Sequence, residues 1–323
     1  MKFDVVIANP PYHLNDNGNG VSARPIYHLF VSLGKKLNPH YLSMIIPARW
    51  YAGGKGLTKF REEMLNDQRM KILVDYERTV ECFDNVNIAG GICYFLWDKS
   101  HSGPCSITNA FDQKKTTMER YLNEFPVLVR SNKTISIVRK IINSGMYSYS
   151  NYIYPRNLFG FQTNFKGRQR KETGDVEILT SSGFQYTKRS TVKKNNRLID
   201  TYKVLIGRLV TRNGEVETKP EDGYKIITNP IIGPNQINIE TYMNVDVFNT
   251  LQEAENFKNF LCCKFTRFLL KQGISSLNIS TSSFYFVPYE DSKQSWSDEK
   301  LYKKYKLNQE EINFIESIIK PMN

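Results

Sequence analysis

Cysteine, histidine, long apolar runs and acidic residues are all scarce in this chain of 323 residues. The five cysteines, Cys82, Cys93, Cys105, Cys262 and Cys263, show no C-x-x-C spacing, and four histidines are too few to complete metal sets. That pattern argues against a disulfide scaffold and against zinc; reduced, mostly buried thiols and no metal are expected. No stretch approaches the roughly eighteen apolar residues of a membrane span, and the N-terminus runs into strand-like sequence without a charged-then-apolar leader. The expectation is a cytoplasmic chain with no membrane partner. Acidic residues are outnumbered, 32 against 44 Lys and Arg, for a net charge of +12. The shortfall is local: residues 113–213 hold 20 Lys and Arg but only 6 Asp and Glu, which accounts for the whole excess. A basic block of that kind points to a polyanion.

What is present includes enough apolar residues, 40% with 13% aromatics, to fill two cores. The most informative stretch is Phe3-Asp4-Val5-Val6-Ile7-Ala8-Asn9-Pro10-Pro11-Tyr12. An apolar strand stops at an amide, two prolines and a tyrosine, so its last polar groups are presented at a fixed turn. The chemistry suited to such a turn is methyl transfer to an aromatic or amide NH2 group, whose delocalised lone pair makes a poor nucleophile. A catalyst must accept hydrogen bonds from both N–H groups and draw the nitrogen toward tetrahedral geometry. Asn9 offers its side-chain oxygen and Pro10 its carbonyl, pre-aimed by the fixed φ of proline. Tyr12 offers a face on which a planar group can stack.

Asn9-Pro10-Pro11-Tyr12 resembles the catalytic motif of amino methyltransferases that use S-adenosylmethionine, most closely the N6-adenine DNA methyltransferases of restriction-modification systems with gamma-type motif order. The resemblance spans residues 3–98 and implies a partial Rossmann-like methyltransferase sheet, that is, an α/β fold. It implies Asn9, Pro10, Pro11 and Tyr12 as catalytic residues. It also implies Phe30, in Ile26-Tyr27-His28-Leu29-Phe30, as a contact to the adenine of the methyl donor, and Phe83 as a partner of Tyr12 in stacking on a flipped base.

In chain order, His13–Arg24 reads as a polar, Gly/Asn-rich loop beside the catalytic turn. Pro25–Leu37 reads as a helix with Ile26, Phe30, Leu33 and Leu37 on one face. Strands are expected at 41–47, 71–76 and 92–97, with a short helix at 59–67 and a Gly-rich aromatic loop at 49–56 on the same crevice as Asn9. Residues 1–100 are thus expected to form the C-terminal half of a methyltransferase catalytic domain. Residues 101–323 are expected to be an α+β target-recognition domain ending in helices. Its expected elements are strands 203–210 and 224–228 with a turn at Asn213-Gly214, one helix over 253–272, and a tail helix from about Asp298. Tyrosines at 147, 149, 152 and 154 precede basic clusters. Arg156, Lys166, Arg168, Arg170, Lys171, Lys188, Arg189, Lys193 and Lys194 are therefore candidate contacts to double-stranded DNA.

In the arrangement this chain resembles, the Gly-rich loop and acidic residue that hold the donor lie before the catalytic strand. Here only Met1 and Lys2 precede it, and neither Phe159-Gly160-Phe161 nor Ile232-Gly233-Pro234 supplies the loop. The S-adenosylmethionine site is expected to be incomplete, with its other half brought by a second chain or by sequence outside these residues. Two other readings stay open: a non-catalytic DNA-binding or anti-restriction protein derived from a methyltransferase, and an amino methyltransferase acting on RNA or on a protein glutamine.

Overall fold

Val5–Ala8 forms strand β1, ended by the two prolines that cannot donate to a ladder. It is followed by α1 (Tyr27–Lys36), β2 (Tyr41–Pro47), α2 (Thr58–Leu65), β3 (Met70–Tyr76), β4 (Ile92–Asp98), β5 (Cys105–Phe111) and β6 (Lys114–Arg120). These strands make one sheet in the order β1-β2-β4-β3-β5-β6. Strand β1 pairs parallel to β2 and β3 parallel to β5, while β4 runs antiparallel to both β2 and β3. The carboxyl ends of β1, β2 and β3 therefore share one edge of the sheet, together with the loop that enters β4. The fold of this part is α/β, half of a doubly wound sheet.

This computed structural model describes residues 3–14, 24–54, 56–83, 88, 90–111, 114–210, 225–228, 231–274 and 279–321. The chain divides into two compact units, the first built mainly on Met1–Ile137 and the second on Val138–Gly214, Thr218–Lys271 and Asn278–Asn323. The sheet thus continues past residue 100, because β5 adds to β3 and turns back as β6. Residues 15–23 of the expected loop, the turn Asn213-Gly214 and the start of a strand at Tyr224 lie outside the described residues.

The core of the first unit lies on one face of the sheet. Leu42, Met44 and Ile46 alternate along β2, Cys93, Phe95 and Trp97 along β4, and Tyr27, Val31, Phe60 and Met64 cover them from the two helices. Helix α1 differs from the sequence expectation in its facing. Tyr27, Val31 and Gly34 are buried, whereas Leu33 and Leu37 are exposed. Apolar residues occupy both sides of this helix, so spacing alone does not select the side that meets β2.

Helix α3 (Ile135–Asn143) spans the division at Ile137, and the second unit contains β7 (Asp175–Thr180), β8 (Gly183–Lys188), β9 (Tyr202–Val210), β10 (Lys225–Thr228), β11 (Gln236–Asn238) and β12 (Met243–Phe248). Two three-stranded sheets result, β10-β9-β12 and β11-β7-β8. The single helix expected over 253–272 is two, α4 (Leu251–Cys262) and α5 (Lys264–Gln272). The chain turns extended at Cys263, and Asp298 accepts hydrogen bonds from the Lys264 and Phe265 N–H groups at 3.1 and 2.8 Å, capping α5 from a distant segment. The tail is likewise two helices, α6 (Asp298–Lys304) and α7 (Gln309–Ile318), separated at Lys306, whose φ is +53°. Among the described residues no helix is long and apolar enough to cross a membrane.

Candidate active site

Asn9 follows the last residue of β1, whose Ala8 stands beside Met44 of β2. Its side chain is exposed, Pro10 is buried and Pro11 exposed, so one proline anchors the turn while the amide faces solvent. Tyr12 is half-buried against the core and its carbonyl accepts from the Ile26 N–H at 3.0 Å. A β-bridge then joins His13 to Pro25. The Asn9–Tyr12 turn is thereby tied to the start of α1 as well as to β1.

Burial, with Cys93 and Cys82 nearby, pushes the Tyr12 phenol up to about 12, so it is neutral at physiological pH and has no charge to repel a π-face. Burial, then the Arg49 charge, lowers the His13 imidazole. Phe30 sits in the first turns of α1, half-buried, and Tyr27 beside it is buried with its hydroxyl unpartnered among the described residues. Among the described residues no group of three or more His, Cys, Asp or Glu could hold a metal ion.

Two further loops reach the same sheet edge. After β2, a short 3-10 turn at Ala48–Tyr51 buries Trp50 and Tyr51, and Arg61 of α2 fixes it by donating to the Trp50 and Gly53 carbonyls at 2.8 and 2.7 Å. Between β3 and β4, Phe83 is half-buried and its N–H donates to the Thr79 carbonyl at 2.8 Å. The far end of that loop is clamped by Arg130. Its guanidinium makes a two-toothed ion pair with Asp75 at 2.7 and 2.8 Å and donates to the carbonyls of Gly90 and Tyr76 at 2.9 and 3.1 Å. Burial works against the Arg130 charge, but the Asp75 carboxylate more than offsets it and keeps the guanidinium protonated. Gly91 turns here with φ of +72°, and a Cβ at that position would lie 2.2 Å from the Tyr76 carbonyl oxygen.

Sequence reasoning missed Tyr27, Arg61, Asp75 and Arg130. Asp75 and Arg130 are 55 residues apart and carry no local spacing. The Gly90-Gly91 pair ahead of β4 was the one signal that this loop is held in a special geometry.

The candidate DNA contacts divide. Arg168 pairs with Glu172 and, at 2.5 Å, with Asp175, while Lys188 reaches Glu172 at 2.9 Å and Asp175 at 3.5 Å. Arg189 pairs with Asp200, Arg156 donates to the Ile279 carbonyl at 3.0 Å and Lys193 to that of Ser190 at 3.2 Å. Lys166, Arg170, Lys171 and Lys194 are exposed and hold no ion pair among the described residues. Another basic residue of the block, Lys203, is buried and donates to the carbonyls of Ile199, Thr201, Gly233 and Gln236. Part of the basic block is therefore structural.

Residues 1–83 match the family described as Eco57I restriction-modification methylase. The chain is 34% identical over 155 residues to an uncharacterized adenine-specific methylase of Mycoplasma pneumoniae (strain ATCC 29342 / M129 / Subtype 1), a match covering 46% of this chain and 36% of the relative. It thus spans about a third of the length of that curated relative. Among solved structures, the type IIL restriction-modification enzyme MmeI in complex with DNA matches 89% of this chain and 45% of its own, at 8% identity and a TM-score of 0.40. The type IIG restriction endonuclease BpuSI matches 94% of this chain and 49% of its own, at 11% identity and a TM-score of 0.35. These structural likenesses are too distant to bear on function. The resemblance read from Asn9–Tyr12 holds on sequence: the N-terminal part of this chain is similar to the adenine-specific methylases of restriction-modification systems.

Proposed function

We propose that this chain carries the amine-accepting and target-recognition part of a DNA adenine-N6 methyltransferase. The observation that carries the reading is Asn9-Pro10-Pro11-Tyr12 at the carboxyl end of β1, on the sheet edge that also receives the Phe83 loop. Adenine inside a duplex is out of reach, so it is flipped out at a cost of a few kcal/mol. Stacking between Tyr12 and Phe83, at about 1–3 kcal/mol per aromatic contact, offsets that cost. The Asn9 side-chain oxygen and the Pro10 carbonyl each accept one N–H of the adenine amine. Holding both bonds out of the ring plane localises the nitrogen lone pair. S-adenosylmethionine, when bound, supplies the electrophilic methyl group, and Phe30 packs on its adenine.

The donor's remaining contacts come, in this reading, from residues beyond those described, on the second chain or segment that the open edge of the sheet would receive. Support comes from β1 itself. It pairs only with β2 among the described residues, with Val5 51% and Ile7 78% exposed, and α1 leaves Leu29 and Leu33 exposed at 58% and 55%. An edge strand of bare aliphatic residues is a pairing template.

The test is a fluorescence-anisotropy titration of this chain on duplex DNA at rising salt. Tight binding at low salt that weakens steeply, with Asn9→Ala binding as tightly as wild type, is expected. No affinity for DNA at low salt would contradict the reading.

A further inference from the structure

Within the second unit, the segment 162–171 is fastened at both ends while the side chains between point to solvent. At its start the Phe161 carbonyl accepts from the Glu240 N–H at 3.0 Å, Thr163 donates to the Glu240 carboxylate at 3.0 Å, and Phe161 and Phe165 meet edge to face, their ring centres 4.6 Å apart. At its end it runs along the edge of β8. Gly167 N–H donates to the Gln185 side chain at 2.7 Å, and Arg168 and Tyr186 exchange both backbone hydrogen bonds at 2.8 and 2.9 Å. Gly167 is required there, because a Cβ would lie 2.8 Å from the Gln185 Cβ and 2.9 Å from the Tyr186 carbonyl oxygen. The ion pairs of Arg168 with Glu172 and Asp175 lock the exit.

Between and just beyond these fastenings Asn164, Lys166, Gln169, Arg170 and Lys171 are exposed, and none makes a side-chain hydrogen bond or ion pair among the described residues. A floppy loop loses binding energy when it orders on a partner; one already fixed does not. The side-chain types are those that read base edges. Asn and Gln pair with the N6 and N7 edge of adenine, and Arg with the O6 and N7 edge of guanine, each in a two-toothed contact. Arg168, Lys188 and Arg189, by contrast, are neutralised by their own acids.

Resting on the DNA reading above, we propose that Asn164, Gln169 and Arg170 are specificity-determining residues that contact base edges in the major groove of the target duplex. Lys166 and Lys171 flank them on the phosphates. Sequence choice then resides in this fastened loop, while Lys193 and Lys194 contribute only strength.

The test selects duplexes from a random-sequence library with the full chain and sequences what is retained, for wild type, Gln169→Ala, Arg170→Ala and a Lys193→Ala, Lys194→Ala pair. Wild type should enrich a defined sequence. Each loop variant should relax or change one base position and bind the wild-type sequence about 5- to 150-fold more weakly. The lysine pair should weaken all duplexes alike and leave the enriched sequence unchanged. Loop variants that enrich the same sequence as wild type, or a wild-type chain that binds duplexes without any preference, would overturn the inference while leaving DNA binding intact. A chain that binds no duplex, or prefers single-stranded RNA, would overturn the DNA reading itself and this inference with it.

Discussion

Asn9 faces solvent and Tyr12 stays a neutral phenol until about pH 12, so in the proposed reaction the turn serves as an acceptor and a stacking surface rather than an acid or base. Replacing Asn9 by Ala removes one of two acceptors and is expected to lower methylation about 10²–10³-fold, by analogy with loss of one oxyanion-type contact. Affinity for DNA should stay within twofold, as measured by initial rates beside equilibrium binding. Carboxylates elsewhere set the acid limit. Asp67 is worked on by burial, which opposes its charge, but Arg69, Lys35 and Trp97 hold its carboxyl well below the usual range. The Ser100 hydroxyl, Lys71 and the Ser100 N–H bring Asp98 down to about 2. A carboxyl with a depressed folded pKa stabilises above its ordinary value near 4 and loses that contribution as pH falls through the folded value. Stability in urea should therefore fall between about pH 4 and pH 2, and Asp67→Asn should flatten that fall. At pH 7 the same variant should cost about 1.5–3 kcal/mol, the worth of a hydrogen bond to a charged group.

At the scale of elements, the strands of the first unit were legible because each is a short apolar run between turn residues, and β2, β3 and β4 lie within a residue or two of their expected limits. The facing of α1 was not legible, since Leu29 and Leu33 are as apolar as Tyr27 and Val31 and only the sheet decides between them. The break at Cys263 was hidden for the same reason: α4 and α5 are continuous in pattern, and the cap that separates them comes from Asp298. Asp298→Ala should cost about 0.5–2 kcal/mol, the usual worth of a helix cap. Nor does sequence distinguish Arg168, consumed by Glu172 and Asp175, from Arg170, which is free of any acid among the described residues. The loop bearing Phe83 depends on Arg130 in the same long-range way. Arg130→Met leaves Asp75 buried without its partner and should cost about 3–5 kcal/mol. Chemical denaturation reads the loss, and the double variant with Asp75→Leu should recover much of it.

For the molecule as a whole, the proposed function calls for two partners, a duplex on the basic block and a donor-binding half on the bare edge of β1. Ile7 is 78% exposed, so Ile7→Lys should change the stability of this chain by no more than about 0.5 kcal/mol. In its full coding context the same substitution should suppress methylation, because a charge replaces an aliphatic side chain where the sheet is proposed to continue. Methylation unaffected by Ile7→Lys would remove the edge from the account. The central claim is that the turn after β1 methylates adenine N6 in DNA, and base-resolution mapping of N6-methyladenine tests it most directly. The gene would be expressed with its neighbouring coding sequence in a host lacking adenine methylation. The account predicts N6-methyladenine at one recurrent sequence with the wild-type gene and a rate of methylation there lowered about 10²–10³-fold with Asn9→Ala. Unmethylated adenine with the wild-type gene, or methylation at the wild-type rate in Asn9→Ala, would contradict it.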